Sequence, residues 1–183
     1  MLYSKQMQKE AVMIEHMPMR RKTREVKDPT QIKALIDECQ TVRLGLVDDE
    51  GIFIVPVSYG YEWVVAGSGN SEHLVLWVHS AQEGRKARAL AANSSNIAVE
   101  LDAEGGVITA QDACKCSCAY RSIMGTATAQ LAEIPAQKMH GMDLIMQHQT
   151  KRDWGGYSQA ALERTNIYRI EVQRLTCKVN TKA

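Results

Sequence analysis

The stretch Leu74–Asn93, LVLWVHSAQEGRKARALAAN, decides both the fold and the site. Leu74 to Val78 is a short apolar run between polar residues, the pattern of a buried strand. The chain turns at His79-Ser80. Ser80-Ala81-Gln82-Glu83 then fits the S-x-x-E capping box, in which serine and glutamate satisfy free backbone N–H groups at a helix start. A helix from Ser80 to Asn93 is expected. Arg85, Lys86 and Arg88 fall in its first turns, where the helix dipole is already positive. Three cations there point to an anion at the helix N-terminus, where exposed N–H groups suit phosphate. The plainer reading is a solvated basic face, and this stretch alone leaves both open.

Upstream, residues 1–27 are rich in Met, Gln, Lys and Arg and read as an arm, with Val12, Met13 and Met17 as a short apolar stripe. The globular domain is expected over 28–183. Asp28-Pro29 opens a helix running to Gln40, with Asp as N-cap and Pro at the first helical position. Ile32, Leu35, Ile36 and Cys39 fall at helical spacing and should face a core. Strands are expected at Val42–Val47, Ile52–Tyr59 and Glu62–Ala66, followed by a loop at Gly67–Ser71. Pro56 cannot donate to a sheet ladder, so it belongs at an edge or a bulge. With Ser58, Tyr59 and Gly60 beside it, this strand is a place where backbone groups stay free for a ligand. An ordinary edge strand is the alternative.

Downstream, strands are expected at Ile97–Asp102, Val107–Gln111, Ala119–Leu131 and Ile167–Leu175, with a turn at Ala103–Gly106. Helices are expected at Pro135–Gln149, with Met139, Met142, Ile145 and Met146 on one face, and at Ser158–Arg164. Mostly consecutive strands with few helices between them favour a closed or nearly closed antiparallel barrel with peripheral helices. A doubly wound parallel sheet would need a helix between most strands. No G-x-G-x-x-G follows a strand, which disfavours a Rossmann dinucleotide site.

Composition narrows the function classes. The 183 residues suit one well-buried domain. A net charge of +1 argues against broad binding to nucleic acid. No apolar run approaches the ~18–20 residues of a membrane span, and the first residues lack a signal-peptide core, so a cytoplasmic location is expected. The five cysteines, Cys39, Cys114, Cys116, Cys118 and Cys177, are an odd count that speaks against a disulfide framework. Cys114, Cys116 and Cys118 alternate, so in a strand they would share one face. A soft-metal site is one reading. Without a second ligand pair at the usual spacing, no metal is expected, and small packing residues open to oxidation are the better reading.

Met19-Arg20-Arg21-Lys22, Val42-Arg43-Leu44-Gly45-Leu46, Val55-Pro56-Val57-Ser58-Tyr59-Gly60-Tyr61, His79-Ser80-Ala81 with Glu83-Gly84-Arg85-Lys86, and Tyr120-Arg121-Ser122-Ile123-Met124-Gly125 follow in that order. In combination, over about Met19 to Lys178, they resemble the 5-nitroimidazole-resistance (Nim-type) branch of the pyridoxamine 5′-phosphate oxidase-like split-barrel flavoproteins. The resemblance implies a mainly β, antiparallel split β-barrel, a homodimer, and FMN bound at the dimer interface. It implies a phosphate site at Ser80, Arg85 and Lys86, and flavin-edge contacts from Pro56, Val57, Ser58 and Tyr59. Tyr120, Arg121 and Ser122 would serve the site across the dimer. The chain departs from its relatives at Cys116, at Cys118 and in residues 1–18.

His79, at a strand end beside the phosphate segment, should border the pocket, and its ordinary pKa suits it to proton donation. The alternative is a histidine that only hydrogen-bonds cofactor or backbone. The expected function is an FMN-dependent oxidoreductase, a nitroreductase for 5-nitroimidazole-type small molecules. The alternatives are a non-catalytic FMN-binding module or redox sensor, and a protein built on the cysteine cluster.

Overall fold

The computed structural model describes residues 18–65, 72–154 and 156–181. The apolar stripe of the arm, His16 and the whole Gly67–Ser71 loop lie outside them. The described chain forms seven antiparallel strands and four helices. The strands are β1 (Glu25–Val26), β2 (Thr41–Asp48), β3 (Gly51–Val65), β4 (Glu72–Ala81), β5 (Ile97–Ile108), β6 (Ser117–Leu131) and β7 (Thr165–Asn180). The helices are α1 (Pro29–Glu38), α2 (Arg85–Ala92), α3 (Pro135–Thr150) and α4 (Gln159–Glu163). The strand order is β1-β7-β4-β3-β2-β5-β6, and β6 returns to pair with β7. That last pairing closes the ring, so the expected antiparallel barrel with outer helices is the fold.

The opening stretch shows why. Along β4 alternate residues face opposite sides. Leu74, Leu76 and Val78 point into the barrel with Leu44, Val99, Leu101, Ile123 and Ile170. Val75 and Trp77 point outward and are covered with Ile145 and Ile167. Both faces are buried, which is why the run is continuously apolar. Burying each such side chain contributes about 1.5–3 kcal/mol. Helix α1 starts as expected, with the Asp28 carboxylate accepting from Thr30 N–H at 3.0 Å and Pro29 at the first helical position. Its Leu35 and Ile36 are buried against the same core.

Several expectations are corrected. The helix after β4 begins at Arg85, not Ser80, and its N-cap is Gly84 with φ 112°, making no side-chain cap. The capping box does not form because the sheet holds this segment: His79, Ser80 and Ala81 stay paired with Ile167, Asn166 and Thr165 of β7. Ser80 Oγ instead donates to Ala81 O at 2.7 Å. The two strands expected over 52–66 are one, β3, and Gly60 continues it. A Cβ at Gly60 would sit 2.2 Å from the Leu144 carbonyl carbon, so this glycine serves close packing of α3 rather than a ligand. The turn expected at Ala103–Gly106 is a register shift within β5.

On α3 the buried positions are Gly141, Ile145 and His148, while Met139 is exposed. The helix lies on Trp77, and only glycine fits there: a Cβ at 141 would meet the Trp77 ring at 2.4 Å. The cysteine trio does not alternate on a strand. Cys114 lies in a 3-10 turn (Ala113–Lys115) capped by Asp112, Cys116 ends that turn, and only Cys118 is in β6. All three are exposed, so they are not packing residues. Of the arm, Glu25 and Val26 add a short strand to β7 opposite Lys178 and Cys177.

Candidate functional site

The ring is split at one place. β3 and β4 pair from Tyr59↔Val78 to Val65↔Glu72. Before Tyr59, the β3 residues Gly51–Ser58 pair only with β2. After Val78, the β4 residues His79–Ala81 pair only with β7. The two strands thus part, and among the described residues each leaves one backbone edge without a ladder partner. Pro56, opposite Arg43 of β2, lies on the part of β3 that has one open edge, where a missing N–H is tolerated. Pro56 and Ser58 are exposed there, and Val57 packs inward against the core.

Helix α2 follows β4 at the split. With Gly84 as N-cap and no side-chain cap, its first N–H groups have no intrahelical partner. Those groups and the helix dipole make an anion seat. Lys86 Nζ reaches back to donate to the backbone O of His79 at 2.9 Å, bringing its charge to the end of β4. Burial lowers the Lys86 pKa. Burial, followed by the Lys86 charge, lowers that of His79, although its side chain keeps solvent access at the strand end. A dianion bound nearby would oppose both shifts by favouring the charged forms. Ser80 is buried beside them.

Arg85 is committed elsewhere. Its guanidinium makes a forked contact with Asp48, Nε to Oδ2 at 2.6 Å and Nη2 to Oδ1 at 2.8 Å, and lies 4.1 Å from the Phe53 ring centroid. It ties α2 to the β2–β3 turn, and the Asp48 carboxylate already neutralises its charge. The carboxylate is held below the usual range by the same contact. Sequence reasoning missed both Asp48 as this partner and Gly84 as the cap; the Gly before Arg-Lys was the available signal for the second.

Tyr59 is also committed to the fold. It is fully buried, and its hydroxyl reaches Ile36 O at 2.5 Å and Cys39 O at 3.0 Å, covering the carbonyl end of α1. Its own carbonyl accepts from Gln149 Nε2 at 3.0 Å. Tyr59→Phe should therefore cost about 1–3 kcal/mol, the scale for a buried group left unpaired, and leave ligand affinity unchanged. A thermal melt and a flavin titration check this; weaker binding at unchanged stability would return Tyr59 to the site.

Tyr120, Arg121 and Ser122 are not brought to the split within one chain. Tyr120 pairs with Asn180, thirteen residues further along β7 than Ile167, the partner of His79. That is roughly 40 Å of strand. Arg24 donates to the Tyr120 hydroxyl at 3.4 Å, and Arg121 pairs with Glu38. The remaining histidines among the described residues are placed outside the split: His73 meets Glu171, His140 meets Glu62, and His148 is on the buried face of α3. Among the described residues no three His, Cys, Asp or Glu side chains gather as a metal site.

A family model described as pyridoxamine 5′-phosphate oxidase matches residues 28–179. No curated protein matches the chain. Among solved structures, a candidate 5-nitroimidazole antibiotic resistance protein from Bacteroides thetaiotaomicron is 28% identical over 85% of this chain and 86% of that one, with a TM-score of 0.68. A flavocytochrome from Azotobacter vinelandii is 19% identical over 90% of this chain and 73% of that one, with a TM-score of 0.72. An FAD and heme binding protein from Mycobacterium smegmatis is 17% identical over 87% and 74%, with a TM-score of 0.70. At those last two identities the likeness is one of fold. The family match runs from the N-cap of α1 to the penultimate residue of β7, and the chain therefore belongs to the pyridoxamine 5′-phosphate oxidase family.

Proposed function

We propose that the protein is an FMN-dependent oxidoreductase that reduces 5-nitroimidazole-type compounds. The observation that carries this reading is Lys86 at the uncapped head of α2, turned back to the end of β4 beside the unpaired edge of β3. Lys86, Ser80 and the first N–H groups of α2 would hold the phosphate, and the backbone of Pro56–Ser58 would border the ring system. Bound FMN supplies the electron transfer; the chain orients it and excludes water. The likeness to the candidate nitroimidazole resistance protein supports the substrate class. Five free cysteines suit a reducing cytoplasmic setting.

A hydrogen bond to a charged group contributes about 1.5–3 kcal/mol, so Lys86→Ala should weaken FMN binding roughly 10- to 100-fold. Unchanged affinity would remove Lys86 from the site. Function is tested by reducing the flavin-loaded protein anaerobically and adding a 5-nitroimidazole. Reoxidation coupled to loss of the nitro compound supports the enzyme. Flavin that binds but never reoxidises this way makes the protein a flavin-binding module instead.

The same reading includes a homodimer. Val47, Ile52, Ile54 and Met124 are exposed apolar side chains, with Ile52 at 85% and Ile54 at 67%. Strand register puts Ile52 opposite Val47, and Ile54 opposite Gly45, which itself faces Ala98. Such a contiguous apolar face next to the split suits a second copy. A second copy is also the route by which Tyr120–Ser122 would reach a flavin. Light scattering should give about twice the 20.4 kDa chain mass at micromolar concentration; a flavin-loaded monomer would contradict this.

A further inference from the structure

A cavity of about 440 Å³ opens where α1 and α3 end, beyond the point at which β3 and β4 join. Asp37, Tyr61, Gln147, His148, Lys151 and Asp153 line it, and it shares no residue with the split. At its inner wall the His148 side chain is only 3% exposed. His148 Nε2 lies 2.8 Å from Cys39 O. A carbonyl only accepts, so Nε2 carries the proton, and in the neutral ring Nδ1 is an acceptor. Nδ1 is buried and has no hydrogen-bond partner. It faces Asp37 Oδ1 at 3.9 Å, too far to bond.

The surroundings favour a cation. Asp37 and Asp153 stand against one ammonium, that of Lys151. Asp37 Oδ1 accepts from Tyr61 OH at 3.1 Å and Lys151 Nζ at 2.9 Å, while Oδ2 has no protein donor among the described residues. Both α1 and α3 present their C-terminal turns here, the negative ends of their dipoles. Lys151 itself, at φ 53°, is the only non-glycine residue with positive φ among those described, and its backbone conformation is normally left to glycine or asparagine. Three His, Cys, Asp or Glu groups do not converge as a metal site among the described residues, so the charge is better met by an organic group.

We infer that this cavity binds a small organic cation with N–H donors, a primary ammonium or a guanidinium, which donates to His148 Nδ1 and to the free oxygen of Asp37. The Lys151 ammonium competes with it for the same carboxylate. The groups facing His148 are Asp37 and the Cys39 carbonyl from α1, the Tyr59 and Tyr61 rings from β3 at 4.6 and 5.2 Å, and Lys151 at the end of α3. Burial is the main cause that lowers the His148 pKa, which keeps the ring neutral at neutral pH. Protonation would put a proton on Nδ1 and remove the acceptor. Affinity should therefore fall as pH drops below the ordinary histidine range.

The test is an NMR titration of the 15N-histidine-labelled protein with methylguanidinium chloride, followed at the His148 ring. Tetramethylammonium chloride at equal ionic strength is the control, because it has the charge and no N–H. The inference expects a saturable shift with methylguanidinium alone. Asp37→Asn should weaken binding, and Lys151→Ala should tighten it by up to about fivefold, the scale of an exposed ion pair. Both changes are at exposed side chains, so folding should survive them. A non-saturating shift, an equal response to tetramethylammonium, or an affinity indifferent to both variants would overturn the inference.

Discussion

Gly60→Ala should destabilise the protein by about 3 kcal/mol or more, the upper end for a group forced into a packed interior. The added Cβ would lie 2.2 Å from the Leu144 carbonyl carbon, 2.3 Å from Ile145 N and 2.5 Å from Leu144 O. All three are backbone atoms, so no side chain can swing aside. Either α3 lifts from β3 or β3 bends. Lifting α3 would uncover Val75, Trp77 and Ile145, the outer core cluster. For a chain of this length about 3 kcal/mol corresponds to a fall in Tm of roughly 6–12 °C. A melt within 2 °C of the parent would show that the α3–β3 approach is looser than described.

His79→Ala should keep FMN bound and lower nitroimidazole turnover by roughly 10²-fold, the usual scale for a positioned acid. Reduction of a nitro group consumes protons as well as electrons, and His79 is the titratable side chain at the end of β4, where the strands part. In the free protein, burial and then Lys86 lower its pKa, so it is neutral at neutral pH. A bound phosphate dianion acts the other way, favouring the imidazolium. Histidine NMR should therefore show the His79 pKa rising when FMN is added, and turnover should decline as pH rises through the loaded value. The folding linkage has a definite sign in the free protein. A histidine whose folded pKa lies below its unfolded one stabilises the fold above the unfolded pKa, and that contribution is lost as pH falls through the folded value. Loss of flavin from His79→Ala would make the residue a cofactor ligand, and normal turnover would make it structural.

Much of this was legible before the structure because it is local. The Asp28-Pro29 cap needs only four residues of chain, and the apolar run of β4 directly reports burial on both faces. What stayed hidden depends on contacts far apart in sequence. Ser80-x-x-Glu83 satisfies the local rule for a helix start, but β7, some 85 residues later, holds Ser80 in the sheet. Gly60 resembles a ligand approach until α3 is seen crossing it. Arg85 reads as a phosphate cation until Asp48, from the other side of the split, takes its Nε–H and an Nη2–H in a forked contact. His148 has no local pattern, because its partners come from α1 and β3.

The proposal stands or falls on whether Lys86 and the free N–H groups at the head of α2 hold a flavin phosphate. FMN and riboflavin differ only in that phosphate, so titrating both into flavin-free protein isolates it. FMN should bind at least about tenfold more tightly than riboflavin, from one or more charge-assisted hydrogen bonds, and Lys86→Ala should remove most of this preference. Equal affinity for the two flavins in the parent protein, or a preference that survives Lys86→Ala intact, would contradict the proposal.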